Sequence, residues 1–132
     1  GGLVHDVVFE DVCIRDTANP VFMDTNYSAH ASKADGRSPV FRDIVIRNVR
    51  VEGGGKVTLE GLDAAHRLGI QFDNVMFDDP GKIRISAVHA EVRTGPGPFN
   101  LKVAGEDTTV SGTRGEALRN ACTDRFVDFP LR

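Results

Sequence analysis

Apolar and polar positions alternate along three stretches of this chain that superpose without a gap: DVVFEDVCI (6–14), DIVIRNVRV (43–51) and GIQFDNVMF (69–77). Val7, Ile44 and Ile70 fall in one column; Phe9, Ile46 and Phe72 in another; Val12, Val49 and Val75 in a third. A period of two places these side chains on one buried face of a strand. Val, Ile and Phe suit such a pleated, half-buried surface, and the apolar spacing does not follow a helical period. The column holding Asp11, Asn48 and Asn74 divides each stretch into two short strands. Amide and carboxylate side chains at such a corner stack as a ladder and satisfy backbone groups of the turn.

A second apolar stretch follows each of the first. Asn19-Pro20-Val21-Phe22-Met23-Asp24 aligns with Gly55-Lys56-Val57-Thr58-Leu59-Glu60 and with Gly81-Lys82-Ile83-Arg84-Ile85-Ser86. The offset is 14 residues from Val7 to Val21, and 13 from Ile44 to Val57 and from Ile70 to Ile83. Repeats start 37 and 26 residues apart, so the polar, turn-like residues 25–40 absorb the difference. One short supersecondary unit is therefore reused along an axis, as in a parallel β-helix. Strands are expected near 6–9, 12–15, 20–23, 44–46, 49–51, 57–60, 70–72, 75–77 and 83–86. Less regular strands follow at 90–92, 99–103 and 109–111, with Gly95-Pro96-Gly97-Pro98 as a turn cluster. The expected organisation is coils over 1–112 and a cap over 113–132.

A length of 132 residues is one domain's worth of chain. The net charge of −3 speaks against a nucleic-acid footprint, and no apolar run approaches the ~18 residues of a membrane span. His5, His30, His66 and His89 are scattered singly, so no metal or other cofactor is expected. Cys13 and Cys122 stand 109 positions apart, and the sequence does not say whether they pair. The chain opens at Gly1-Gly2 inside a repeat with no polar cap ahead of it. It reads as part of a larger β-helix extending upstream, whose exposed first coil invites self-association.

The stretch from Gly1-Gly2-Leu3-Val4 to Tyr27, including NPVFMDTNY (19–27), resembles the C-terminal portion of glycoside hydrolase family 28, the polygalacturonases. The likeness continues through VTLEGL (57–62), GIQFDNV (69–75), PGPFNL (96–101) and VSG (110–112). It implies an all-β fold, a right-handed parallel β-helix. It also implies hydrolysis of α-1,4 galacturonosidic bonds in pectin with inversion, which requires an acid and a base carboxylate ~6.5–9.5 Å apart. In the family those carboxylates come from Asn-Thr-Asp and Asp-Asp motifs, followed by Gly-His-Gly and Arg-x-Lys, all upstream of the position of Gly1-Gly2. No catalytic residue is thus expected in this chain. Polymeric pectin as substrate implies a secreted or periplasmic protein.

One family site residue has a counterpart: a tyrosine lining the cleft falls on Tyr27, whose ring can stack on a sugar while its hydroxyl hydrogen-bonds. His30, Lys33 and Arg37 make the following loop basic in an acidic chain, suited to the rim of a polygalacturonate cleft. Asp78-Asp79 has the look of a catalytic pair but stands before Pro80-Gly81, a turn signature. Arg84 reads as a surface residue in the column of Phe22 and Thr58, and Asp24 and Glu60 share a column that could face sugar hydroxyls. The competing reading is a non-catalytic carbohydrate-binding or structural β-helix of the adhesin or tailspike type.

Overall fold

The computed structural model describes residues 2–25 and 36–113. Its strands are β1 (Leu3–Val4), β2 (Val7–Arg15), β3 (Val21–Asp24), β4 (Val40–Phe41), β5 (Ile44–Glu52), β6 (Gly55–Glu60), β7 (Leu68–Phe77), β8 (Ile83–Thr94) and β9 (Glu106–Gly112). A 3-10 turn, Pro80–Lys82, precedes β8. Every strand pairing is parallel: the main sheet runs β2-β5-β7-β8-β6-β3 with β9 added on β8, and β1 pairs with β4. Parallel strands need crossovers, and here each crossover is the next side of the same coil, giving a parallel β-helix.

The inward rows are those of the sequence. Val7, Ile44, Ile70, Val92 and Val110 align across successive coils, as do Phe9, Ile46 and Phe72. Their buried members join Val49, Val51, Val75, Val57, Leu59 and Leu68 in one apolar core. Phe72 and Phe99 stack at 4.5 Å, and Phe77 meets Phe99 edge-on at 6.5 Å. Phe9 keeps its place in the inward row yet is 54% exposed, because no described coil lies beyond it. Val12, Ile14, Pro20, Val21 and Met23 line an open apolar hollow beside it.

The Asp/Asn column forms its ladder. Asp11, Asn48 and Asn74 adopt left-handed φ of 58°, 52° and 56°, a conformation these short polar side chains tolerate. Asn74 Nδ2 donates to Asn48 Oδ1 at 2.9 Å, and Asn48 Nδ2 donates to Asp11 Oδ1 at 3.2 Å. Asn74 Oδ1 is buried without a partner. The bridge between Val75 and Phe99 puts Pro98, which has no donor, at the next rung. β2, β5 and β7 run through these corners as single strands, but their pairing skips the Asp/Asn position.

Two expectations need correction. The strand after the third repeat is displaced by two residues: β6 pairs Val57 with Ile85 and Leu59 with Ala87, not with Ile83 and Ile85. The turn at Pro80–Lys82 takes up the extra residues, and a shift of two keeps every side chain on its face, so period-two patterning is blind to it. Residues 99–103 do not form a strand, although Phe99, Leu101 and Val103 are buried. The Asn100 side chain replaces the backbone ladder: Phe77 N donates to Asn100 Oδ1 at 2.9 Å and Asn100 Nδ2 donates to Phe77 O at 2.8 Å. Of the expected cap, all but Thr113 lies outside the described residues, as does Cys122.

Candidate functional site

The strand that leads to Tyr27 is β3, on the sheet completed by β6 and the first half of β8. Val21, Val57 and Ile85 point inward, so the alternate residues form the outer face. Three outward columns result: Lys56 beside Arg84; Phe22, Thr58 and Ser86; and Asp24, Glu60 and Val88. Ser86 Oγ donates to Glu60 Oε1 at 2.7 Å. The buried Thr25 closes the end of β3 by donating to Glu60 O through its N–H at 3.0 Å and its hydroxyl at 3.3 Å. That anchor ties down the end of β3, two residues before Tyr27 in the sequence.

Tyr27, His30 and Lys33 lie outside the described residues, and Arg37 is exposed just after Gly36, whose φ of 72° marks a turn. Asp24 and Glu60 are brought together as expected. Arg84 is exposed, but the two-residue displacement moves it out of the Phe22 column and beside Lys56. This juxtaposition was missed because the matching letters GK at 55–56 and 81–82 invite the wrong register. The turn residues Asp-Pro-Gly ahead of Lys82 were the signal that the strand begins later.

Several carboxylates elsewhere are paired within the coils. Arg50 clamps Asp78 with two bonds of 3.0 and 2.8 Å, which leaves that carboxylate a structural partner; Asp79 precedes the 3-10 turn. Ahead of the Asn48 corner Arg47 lies between Glu10 and Asp73 in the strand register, 2.9 Å from Asp73 and 3.8 Å from Glu10. Asp73 also accepts from Gly97 N at 2.7 Å. At the far coils Arg67 and His89 both engage Asp107. The Arg67 guanidinium first and His89 second hold the Asp107 carboxyl down at about 2. Among the described residues no cluster of three or more His, Cys, Asp or Glu could hold a metal ion, and no helix is long and apolar enough to cross a membrane.

Fold and surface together define one class, a stack of parallel β-helix coils with one mixed polar and aromatic outer sheet. Sequence comparison then places the relatives. Polygalacturonases of Ralstonia nicotianae (strain ATCC BAA-1114 / GMI1000) and Ralstonia solanacearum are similar to this chain, 29% identical over 155 residues and 30% over 154. Both alignments take in the whole chain, which spans 28% of the length of each relative. The resemblance read from NPVFMDTNY and VTLEGL is thereby borne out. No protein-family model matches the chain, and no solved structure does.

Proposed function

We propose that these coils are the C-terminal part of a polygalacturonase-like glycoside hydrolase that cleaves pectin outside the cytoplasm by inversion. The observation that carries the reading is the similarity of the entire chain to polygalacturonases, joined to a coil stack of the kind that resemblance implied. In this reading the acid and base carboxylates belong to preceding coils. The present chain supplies the β3/β6/β8 face, one rim of the cleft through Tyr27, His30, Lys33 and Arg37, and the terminal cap. Coils over 1–112 and a cap over 113–132 would belong to one larger β-helix. The paired state of Asp78 supports an absence of chemistry here, since a carboxylate clamped by Arg50 is poorly placed to take or give a proton.

The test is reducing-end release from polygalacturonate. The chain alone should give none. Substituted for the matching segment of the Ralstonia solanacearum polygalacturonase, it should support turnover. In that chimera Tyr27→Ala should lower kcat/KM by more than Tyr27→Phe, whose lost hydroxyl contact accounts for about three- to tenfold. Release by the chain alone, or an active chimera indifferent to Tyr27→Ala, would overturn the assignment.

A further inference from the structure

Five arginines of the described surface are answered by acids. Arg15 meets Glu52, Arg42 meets Asp43, Arg47 meets Asp73, Arg50 meets Asp78, and Arg67 meets Asp107. The outer face of β6 and β8 instead sets two cations side by side. Lys56 and Arg84 are direct neighbours in the parallel register, and neither has an ion-pair partner among the described residues. Lys82, exposed at the end of the 3-10 turn, stands two residues before Arg84. Like charges set opposite each other across strands repel, so this arrangement costs stability unless an anion is placed between them.

Surroundings narrow the anion. Two residues further along the strands, about 6.6 Å at the usual rise, lies the column of Phe22, Thr58 and Ser86, in which Thr58 is buried and Phe22, at the rim of the apolar hollow, is 59% exposed; Ser86 donates to Glu60 in the next column. An exposed aromatic ring stacks on the apolar face of a sugar, and a hydroxyl–carboxylate pair can exchange hydrogen bonds with sugar hydroxyls. Cations spaced from an aromatic ring on one flat sheet suit a polymer with a carboxylate on every ring.

We propose that Lys56 and Arg84 form a carboxylate-binding subsite for an acidic oligosaccharide, with Phe22 as its stacking platform, on the sheet that leads to Tyr27. It rests on the hydrolase reading for the identity of the sugar, an oligogalacturonate. Arg84 offers the planar fork that fits a carboxylate, and Lys56 adds a point charge beside it. Lys56 lies on β6 and Arg84 on β8, one and two strands from β3 along the β3-β6-β8 path.

Trigalacturonate binding to the whole chain, followed by titration calorimetry, separates the possibilities. The Lys56→Ala/Arg84→Ala variant should bind about ten- to a hundredfold more weakly. A charge-matched Arg93→Ala/Lys102→Ala variant, which removes two exposed cations from other faces, should bind like the wild type. The wild-type affinity should fall with added salt, and neutral galactose oligomers should not compete. Circular dichroism of both variants establishes that they are folded. Equal binding by wild type and Lys56→Ala/Arg84→Ala would overturn the subsite and leave the hydrolase reading standing. Failure of the wild type to bind trigalacturonate, with binding of a sulfated oligosaccharide that depends on Lys56 and Arg84, would keep the anion site and overturn the pectic assignment. Equal weakening by both double variants would show diffuse electrostatics and overturn the subsite.

Discussion

Asn48 occupies the middle rung of the corner ladder, and its replacement separates two physical contributions. The residue is left-handed, with φ of 52°, accepts from Asn74 at 2.9 Å and donates to Asp11 at 3.2 Å. Either Asn48→Gly or Asn48→Ala removes both bonds, each worth about 0.5–1.5 kcal/mol. Alanine also bears the steric cost of the left-handed region, about 1–2 kcal/mol. Glycine avoids it but brings about 0.5–1 kcal/mol of extra unfolded-state freedom. The expected order is therefore wild type, then Asn48→Gly, then Asn48→Ala, with a gap of about 0.5–1 kcal/mol between the variants. Asn48→Asp keeps the acceptor for Asn74 but faces Asp11 with a second carboxylate. Its loss should grow as pH rises through the carboxylate range, about 4. Urea unfolding followed by far-ultraviolet circular dichroism reads all three. Glycine and alanine variants both as stable as the wild type would show that the ladder contributes nothing. An alanine variant more stable than the glycine one would refute the backbone argument.

Phe99→Ala, which removes a ring stacked on Phe72 and edge-on to Phe77, should cost about 3–5 kcal/mol in the same assay; a loss below ~1 kcal/mol would mean that the 99–103 segment does not hold the core. The Asp107 carboxyl, held down at about 2 by Arg67 and His89 from an ordinary 3.8, contributes stability that is complete above the unfolded value and lost as pH falls from about 4 towards 2. Asp107→Asn should flatten that part of the pH–stability curve, and an unchanged slope would contradict it. The exposed Phe9 and the apolar hollow beside it should drive self-association of the isolated chain. Light scattering at high concentration should show Phe9→Ser more monomeric than the wild type, and a monomeric wild type would remove the premise.

Which face of each strand is buried could be read from the residues alone, because alternation with period two is a local property that every coil repeats. Val7 over Ile44 over Ile70, and the Asp11-Asn48-Asn74 ladder, were legible for that reason. So were the turn after Asp78-Asp79 at Pro80 and the resemblance carried by NPVFMDTNY, in which local composition is enough. How the coils sit on one another along the strand direction emerges only from their packing. A slip of two residues leaves the buried face unchanged, so only the turn at Pro80–Lys82 and the packing of Ile85 and Ala87 against β6 select the register. That selection sets Arg84 beside Lys56. In the same way Arg47 finds Asp73, and the Asn100 amide finds the backbone of Phe77, through side chains more than twenty residues apart. Contacts between coils depend on the stacking of whole turns, which no short window of sequence records.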